Sequence, residues 1–157
     1  MTALRRAGVV VLSLLLSLAG AAAPAQTKAP TPDPAKRPKL EAVAETKLIM
    51  DGMADANYRG LEKMLKQAPP DVEAWTFVRG QGLLIAETGN LLMLRPPRAQ
   101  GQEVWMQRST ELREAGTALA RQASARDYDR SRAALRDVAA VCNRCHQNFR
   151  VPVKVGE

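Results

Sequence analysis

Both cysteines of this chain and its one histidine fall within five consecutive residues, Cys142-Asn-Arg-Cys145-His146. Two thiols three residues apart, with an imidazole directly after the second, is the spacing used to attach a haem. The chemistry asks for those residue types. Each thiol adds across one vinyl group of the porphyrin, and the imidazole then lies beneath the iron. On a helix Cys142 and Cys145 are neighbours on one face with His146 beside them, so the motif would hold one covalent haem c edge-on at the end of its helix. Three plainer uses compete. A structural disulfide suits an exported protein, but it would close a tiny loop and leave His146 without a task. A thioredoxin-like pair needs a strand–helix–strand setting that is missing. A zinc site would lack its fourth ligand, since the chain has no other Cys or His.

A single histidine excludes bis-histidine ligation within one chain, and the usual remaining soft ligand is a methionine thioether. Once Met1 is removed with the leader described below, the candidates are Met50, Met53, Met64, Met93 and Met106. The competing role for each is flexible core filler.

These residues must be placed by something, and the rest of the chain reads as helices. Met1–Ala25 has a basic start (Arg5, Arg6), an apolar run from Val9 to Leu18 and a small-residue stretch. That is the layout of a secretory signal peptide, cleaved after about Ala25, with an apolar core too short to span a bilayer comfortably. Residues 26–38 carry Pro30, Pro32, Pro34 and Pro38 and few apolar side chains, which predicts an extended proline-rich leader. From 39 to 157 four segments of helical length follow. The first runs from about Lys39 to Lys66 and stops before Pro69-Pro70. The second is capped by Asp71 and ends before Pro96-Pro97; the third spans about Ala99 to Ser124; the fourth is capped by Asp127 and reaches about Phe149. Apolar and small residues step by three and four, as in Trp75, Val78, Gly82, Ile85, Gly89, Leu92 and again in Leu135, Val138, Cys142, Cys145, Phe149. Narrow seams of this kind with short connections predict an all-α fold, an antiparallel four-helix bundle with the haem on its C-terminal helix.

The formal charge of +7 falls to about +5 when Arg5 and Arg6 leave with the signal. It is scattered, with no dense Lys/Arg tract, so it predicts a solvated surface favouring acidic partners and no nucleic-acid binding.

Taken together, the leader, the four helices and the terminal motif resemble the class II c-type cytochromes, the cytochrome c′ and c-556 group. The resemblance covers essentially all of the mature chain, and its specific residues are Cys142, Cys145, His146 and the following Phe149-Arg150. It implies His146 as the proximal iron ligand. In methionine-ligated members the opposite ligand stands on the first helix, roughly two turns before an Asn and an aromatic. Here Asn57-Tyr58 are that pair, and Met50 fits better than its alternative, Met53, on one stripe with Leu61 and Met64. The family often has an arginine one turn earlier; this chain has Thr46 beside Lys47. Arg150 is a candidate propionate contact, with a plain solvated role as the alternative. Trp75 and Trp105 read as packing residues. Gly82 and Gly89 suit close approach of either a haem or another helix.

The expected function is that of a periplasmic electron carrier with His/Met ligation, served by redox partner proteins. It has no stable membrane span after signal cleavage, and it has the homodimer common in the family as a possible assembly. The alternative is a five-coordinate binder of nitric oxide or carbon monoxide, with Leu48, Ile49, Leu61 and the seam glycines forming its pocket. A third reading makes the domain an accessory subunit tethered by its leader. Enzymatic activity has the least support, because no second histidine is available as an acid or base and no carboxylates are paired for one.

Overall fold

The computed structural model describes residues 39–156. The expected signal peptide and proline-rich leader lie outside them. Four helices pack in chain order. The first, α1, is continuous but built in three stretches: an α-helical Thr46–Ile49, a π-helical Met50–Asp55 and an α-helical Ala56–Met64. Helices α2 (Val72–Met93), α3 (Gln102–Ser124) and α4 (Tyr128–Asn148) are uninterrupted. Among the described residues there is no strand. The architecture is the all-α four-helix bundle that the periodicity predicts.

The caps follow local chemistry. Asp71 Oδ1 accepts from the Ala74 amide at 2.7 Å, and Asp127 Oδ1 accepts from that of Arg130 at 3.0 Å, so both expected aspartate N-caps are present. Only Ala125, Arg126 and Asp127 separate α3 from α4. Arg126 takes a left-handed conformation (φ 54°), while its amide bonds the Ala123 carbonyl and that of Asp127 bonds Gln122. This is a Schellman turn closed without glycine.

The core is a single apolar cluster in which Leu61, Val78, Ile85, Leu119 and Val138 are essentially sealed from solvent. Each such side chain contributes about 1.5–3 kcal/mol by leaving water. The closest approach is between α2 and α3. A Cβ on Gly89 would lie 2.6 Å from the Ser109 carbonyl oxygen, and one on Gly116 would lie 2.6 Å from the Ala86 amide nitrogen. A Cβ on Gly82 would lie 2.6 Å from Leu119 Cδ2. The glycines therefore serve helix–helix contact, and of the two roles that their spacing allowed, approach to a haem is not the one realised.

Two expectations about the first helix need correction. Residues 39–45 are not helical despite good helix formers. Leu40 and Val43 are 78% and 93% exposed, so no packed face supports a helix there. Instead Arg95 Nε donates to the Ala44 carbonyl at 2.8 Å. The single stripe through Met50, Met53, Leu61 and Met64 is also interrupted. The π turn bonds each amide one residue further back than an α-helix does and so changes the register between its two flanks. Burial passes from Ile49 to Asn57 and Tyr58 with no buried residue in the π stretch.

Candidate functional site

Helix α4 carries its seam out of the core toward its C-terminal end. Leu135 and Val138 are buried, Cys142 is half-buried against the core cluster, and Cys145 and His146 are half-buried one turn on. Both cysteines are free thiols. Burial, with a smaller push from Cys145, raises the Cys142 thiol to about 12. Burial also raises Cys145; the Arg108 charge opposes that shift and the Glu111 charge adds to it. Both are therefore protonated at neutral pH.

A polar network stands beside Cys145. Arg108 bonds both Glu111 carboxylate oxygens at 2.6 Å and donates from Nε to Asn148 Oδ1 at 2.8 Å. Arg144 Nη2 lies 3.6 Å from Glu111. Burial pushes Glu111 up, but the hydrogen bonds and charges of the two arginines outweigh it and hold its carboxyl below the usual range. On the α1 side the Tyr58 phenol is buried, and it is raised to about 12 by burial first, then by Glu62 and by Cys142. Tyr58 thus stands close to Cys142 from the α1 side.

Beyond α4 the chain turns back. Arg150 adopts φ 55°, its amide bonds the Gln147 carbonyl and the Val151 amide bonds that of His146 at 2.8 Å, a second Schellman turn. The following tail places the Val153 carbonyl oxygen 2.9 Å from His146 Nδ1. A carbonyl only accepts, so Nδ1 carries the proton and Nε2 keeps the ring's lone pair. An open cleft of about 670 Å³ lies between this tail and the last turns of α4. Phe149 packs edge-on against Trp105 with centroids 5.0 Å apart, and Trp105 Nε1 donates to the Leu92 carbonyl at 2.7 Å. Trp105 accordingly fixes the end of α4 against α2 and α3.

The methionines are dispersed. Met50 and Met64 are half-buried against the core cluster, Met53 is half-buried outside it, and Met106 is 42% exposed. Met50 and Met53 lie in the π stretch of α1, about two turns and one turn before Asn57. The Asn57 amide donates to the Met53 carbonyl at 2.5 Å, closing the π stretch. Arg150 is exposed at the turn.

The donor set fits a haem. Two free thiols share one helix face, and the adjacent imidazole has Nδ1 occupied and Nε2 available. No group of three or more His, Cys, Asp or Glu side chains among the described residues is arranged to hold a bare metal ion, as the zinc alternative would require. Sequence spacing did not reveal the tail or the Arg108–Glu111 pair. Pro152 reads as a chain end, and Asn143 reads as a spacer within the motif.

Comparison with known families gives a match of the family model Cytochrome C' to residues 100–150, which comprise α3, α4 and the motif. This match supports a class II cytochrome c′ assignment. The match covers about a third of the chain and is consistent with the haem-binding character of the donor set. No curated protein and no solved structure gives a significant match.

Proposed function

We propose that this cytochrome is an exported electron carrier holding one haem covalently through Cys142 and Cys145, with His146 as proximal ligand and Met50, or else Met53, opposite. The observation that carries the reading is the His146 Nδ1 bond to the Val153 carbonyl, on the helix that presents both thiols. It fixes the tautomer that leaves Nε2 for iron. Bound there, a haem would supply an iron that takes up and releases one electron. The chain's residues hold and shield it. The seam through Leu135 and Val138 keeps water from one side, Tyr58 stands near Cys142, and Arg150, exposed at the turn, is the candidate propionate contact.

A thioether opposite His146 would raise the potential and keep the ligand set the same in both oxidation states. Optical spectra of the matured protein, oxidised, reduced, and reduced under carbon monoxide, test this reading. Resolved reduced bands unaffected by the gas support it. The Met50→Leu variant should then open the sixth position. Unchanged spectra in both Met50→Leu and Met53→Leu would remove methionine ligation.

The family match favours one second reading, a five-coordinate binder of nitric oxide or carbon monoxide. In that case the reduced bands are broad and shift with the gas. A pocket for it would draw on Ile49 and Leu61 without Gly82 and Gly89, which α3 occupies.

Export to the periplasm rests on the sequence of residues 1–25, and a mature protein beginning at about Gln26 by mass spectrometry tests it. The partners in this reading are acidic redox proteins and, as a homodimer, a second copy. Exposed Leu48, Phe77 and Leu84 on α1 and α2 support the homodimer, which sedimentation would detect.

A further inference from the structure

The tail after α4 is held at several points. It leaves the helix through the Arg150 turn. Asn143 then grips it from both sides of one amide group: its Nδ2 donates to the Val155 carbonyl at 3.0 Å, and its Oδ1 accepts from the Val155 amide at 2.9 Å. Val155 packs against the core cluster. Gly156, at φ 79°, sits so close to α1 and α4 that a Cβ there would lie 2.7 Å from Tyr58 Oη and 3.0 Å from Ala139 Cβ. Val153 lies between these anchors, and its carbonyl meets His146 Nδ1. Asn143 and His146 are three residues apart on one helix, hence on one face. The residue after the first cysteine thus grips the strap that orients the histidine.

We propose that residues 151–156 form a strap, pinned by Asn143, whose Val153 carbonyl sets the tautomer and rotation of the His146 ring and thereby tunes the potential of the iron that it binds. The proposal rests on His146 being the proximal ligand. A hydrogen bond from Nδ1–H to a carbonyl fixes ring orientation and raises the basicity of the other nitrogen. A more basic ligand favours the oxidised iron, so the strap lowers the potential. Asn143 is a positioning residue: it acts on the iron only through Val153 and His146.

The test compares the matured protein with Asn143→Ala, with Asn143→Asp, which keeps the acceptor for the Val155 amide, and with a chain ending at Pro152. Two quantities are read: the reduction potential, and the solvent-exchange rate of the His146 Nδ1 proton by NMR of the reduced protein. Circular dichroism reports whether the bundle is intact. The expected result for Asn143→Ala and for the shortened chain is a potential higher by about 59 mV, a tenfold shift in the one-electron equilibrium. Proton exchange should be at least tenfold faster, with helicity unchanged. Asn143→Asp should fall between these variants and the parent, and it decides the matter if the alanine variant does not mature. An unmoved potential and unmoved exchange in variants that retain haem overturn the proposal. His146→Ala separates the two levels. If its spectrum matches that of the parent, the ligand assignment itself fails; if it changes while the strap variants do nothing, only the strap does.

Discussion

Helices α2 and α3 touch backbone to backbone through Gly82, Gly89 and Gly116, whereas α1 and α4 meet through side chains and the C-terminal tail. At Gly89 and Gly116 the nearest neighbours are main-chain atoms that cannot give way, and at Gly82 the nearest is Leu119 Cδ2. On the second, Tyr58 stands beside Cys142, the Tyr128 hydroxyl reaches the Lys66 carbonyl at 3.1 Å, and Gly156 touches both helices. A π stretch, Met50–Asp55, interrupts the α-helical part of α1. One pair of helices is scaffold and the other is site, because contacts made by movable side chains can be rearranged around a bound group and backbone contacts cannot.

That division can be broken from either side. The largest effect is expected from replacing Cys142 and Cys145 together by serine. Haem that survives denaturing electrophoresis should vanish completely, while far-ultraviolet circular dichroism still shows a helical protein. Next comes Gly116→Ala, whose new methyl would meet the Ala86 amide nitrogen and the Gly82 carbonyl oxygen. Overpacking against backbone should lower stability by about 2–3 kcal/mol, read as a fall in the thermal midpoint.

Glu111, which faces Arg144 of α4 from α3, supplies a pH test where the scaffold meets the site. Its carboxyl is held below the usual range, so the pairing contributes stability that is fully present above the unfolded-state value. That stability is lost as pH falls through the lower folded value. Acid unfolding of Glu111→Gln should be less steep across that window, and the variant should be less stable at neutral pH by about 1 kcal/mol. The smallest effect has the opposite sign. Gly80→Ala on the open face of α2, where a Cβ meets nothing within 4 Å, should stabilise by about 0.5–1 kcal/mol.

The scaffold was the more legible half. Seven-residue glycine spacing, aspartate caps and proline stops state helix lengths and seams almost directly, because each acts within a few residues of its cause. The motif was legible for the same reason, being local. The π turn was not, since Met50–Asp55 differs from an α-helix only in which carbonyl each amide selects. The strap was hidden too: Asn143 and Val155 become partners only after the chain reverses at Arg150, and a left-handed arginine leaves no signature. The start of α1 was misplaced because Leu40 and Val43 look like core residues until nothing packs on them.

The glycine-lined contact also bears on the order of events as the chain folds. Trp105 and Leu92, joined across the α2–α3 connection, are 13 residues apart, whereas Tyr128 and Leu65, joined between α4 and α1, are 63 apart. Closing the longer loop costs about 1.4 kcal/mol more chain entropy, roughly a tenfold handicap in rate. The α1–α4 closure should therefore come after the α2–α3 and α3–α4 hairpins, which short connections join, so the side of the bundle where Tyr58 stands near Cys142 is completed last.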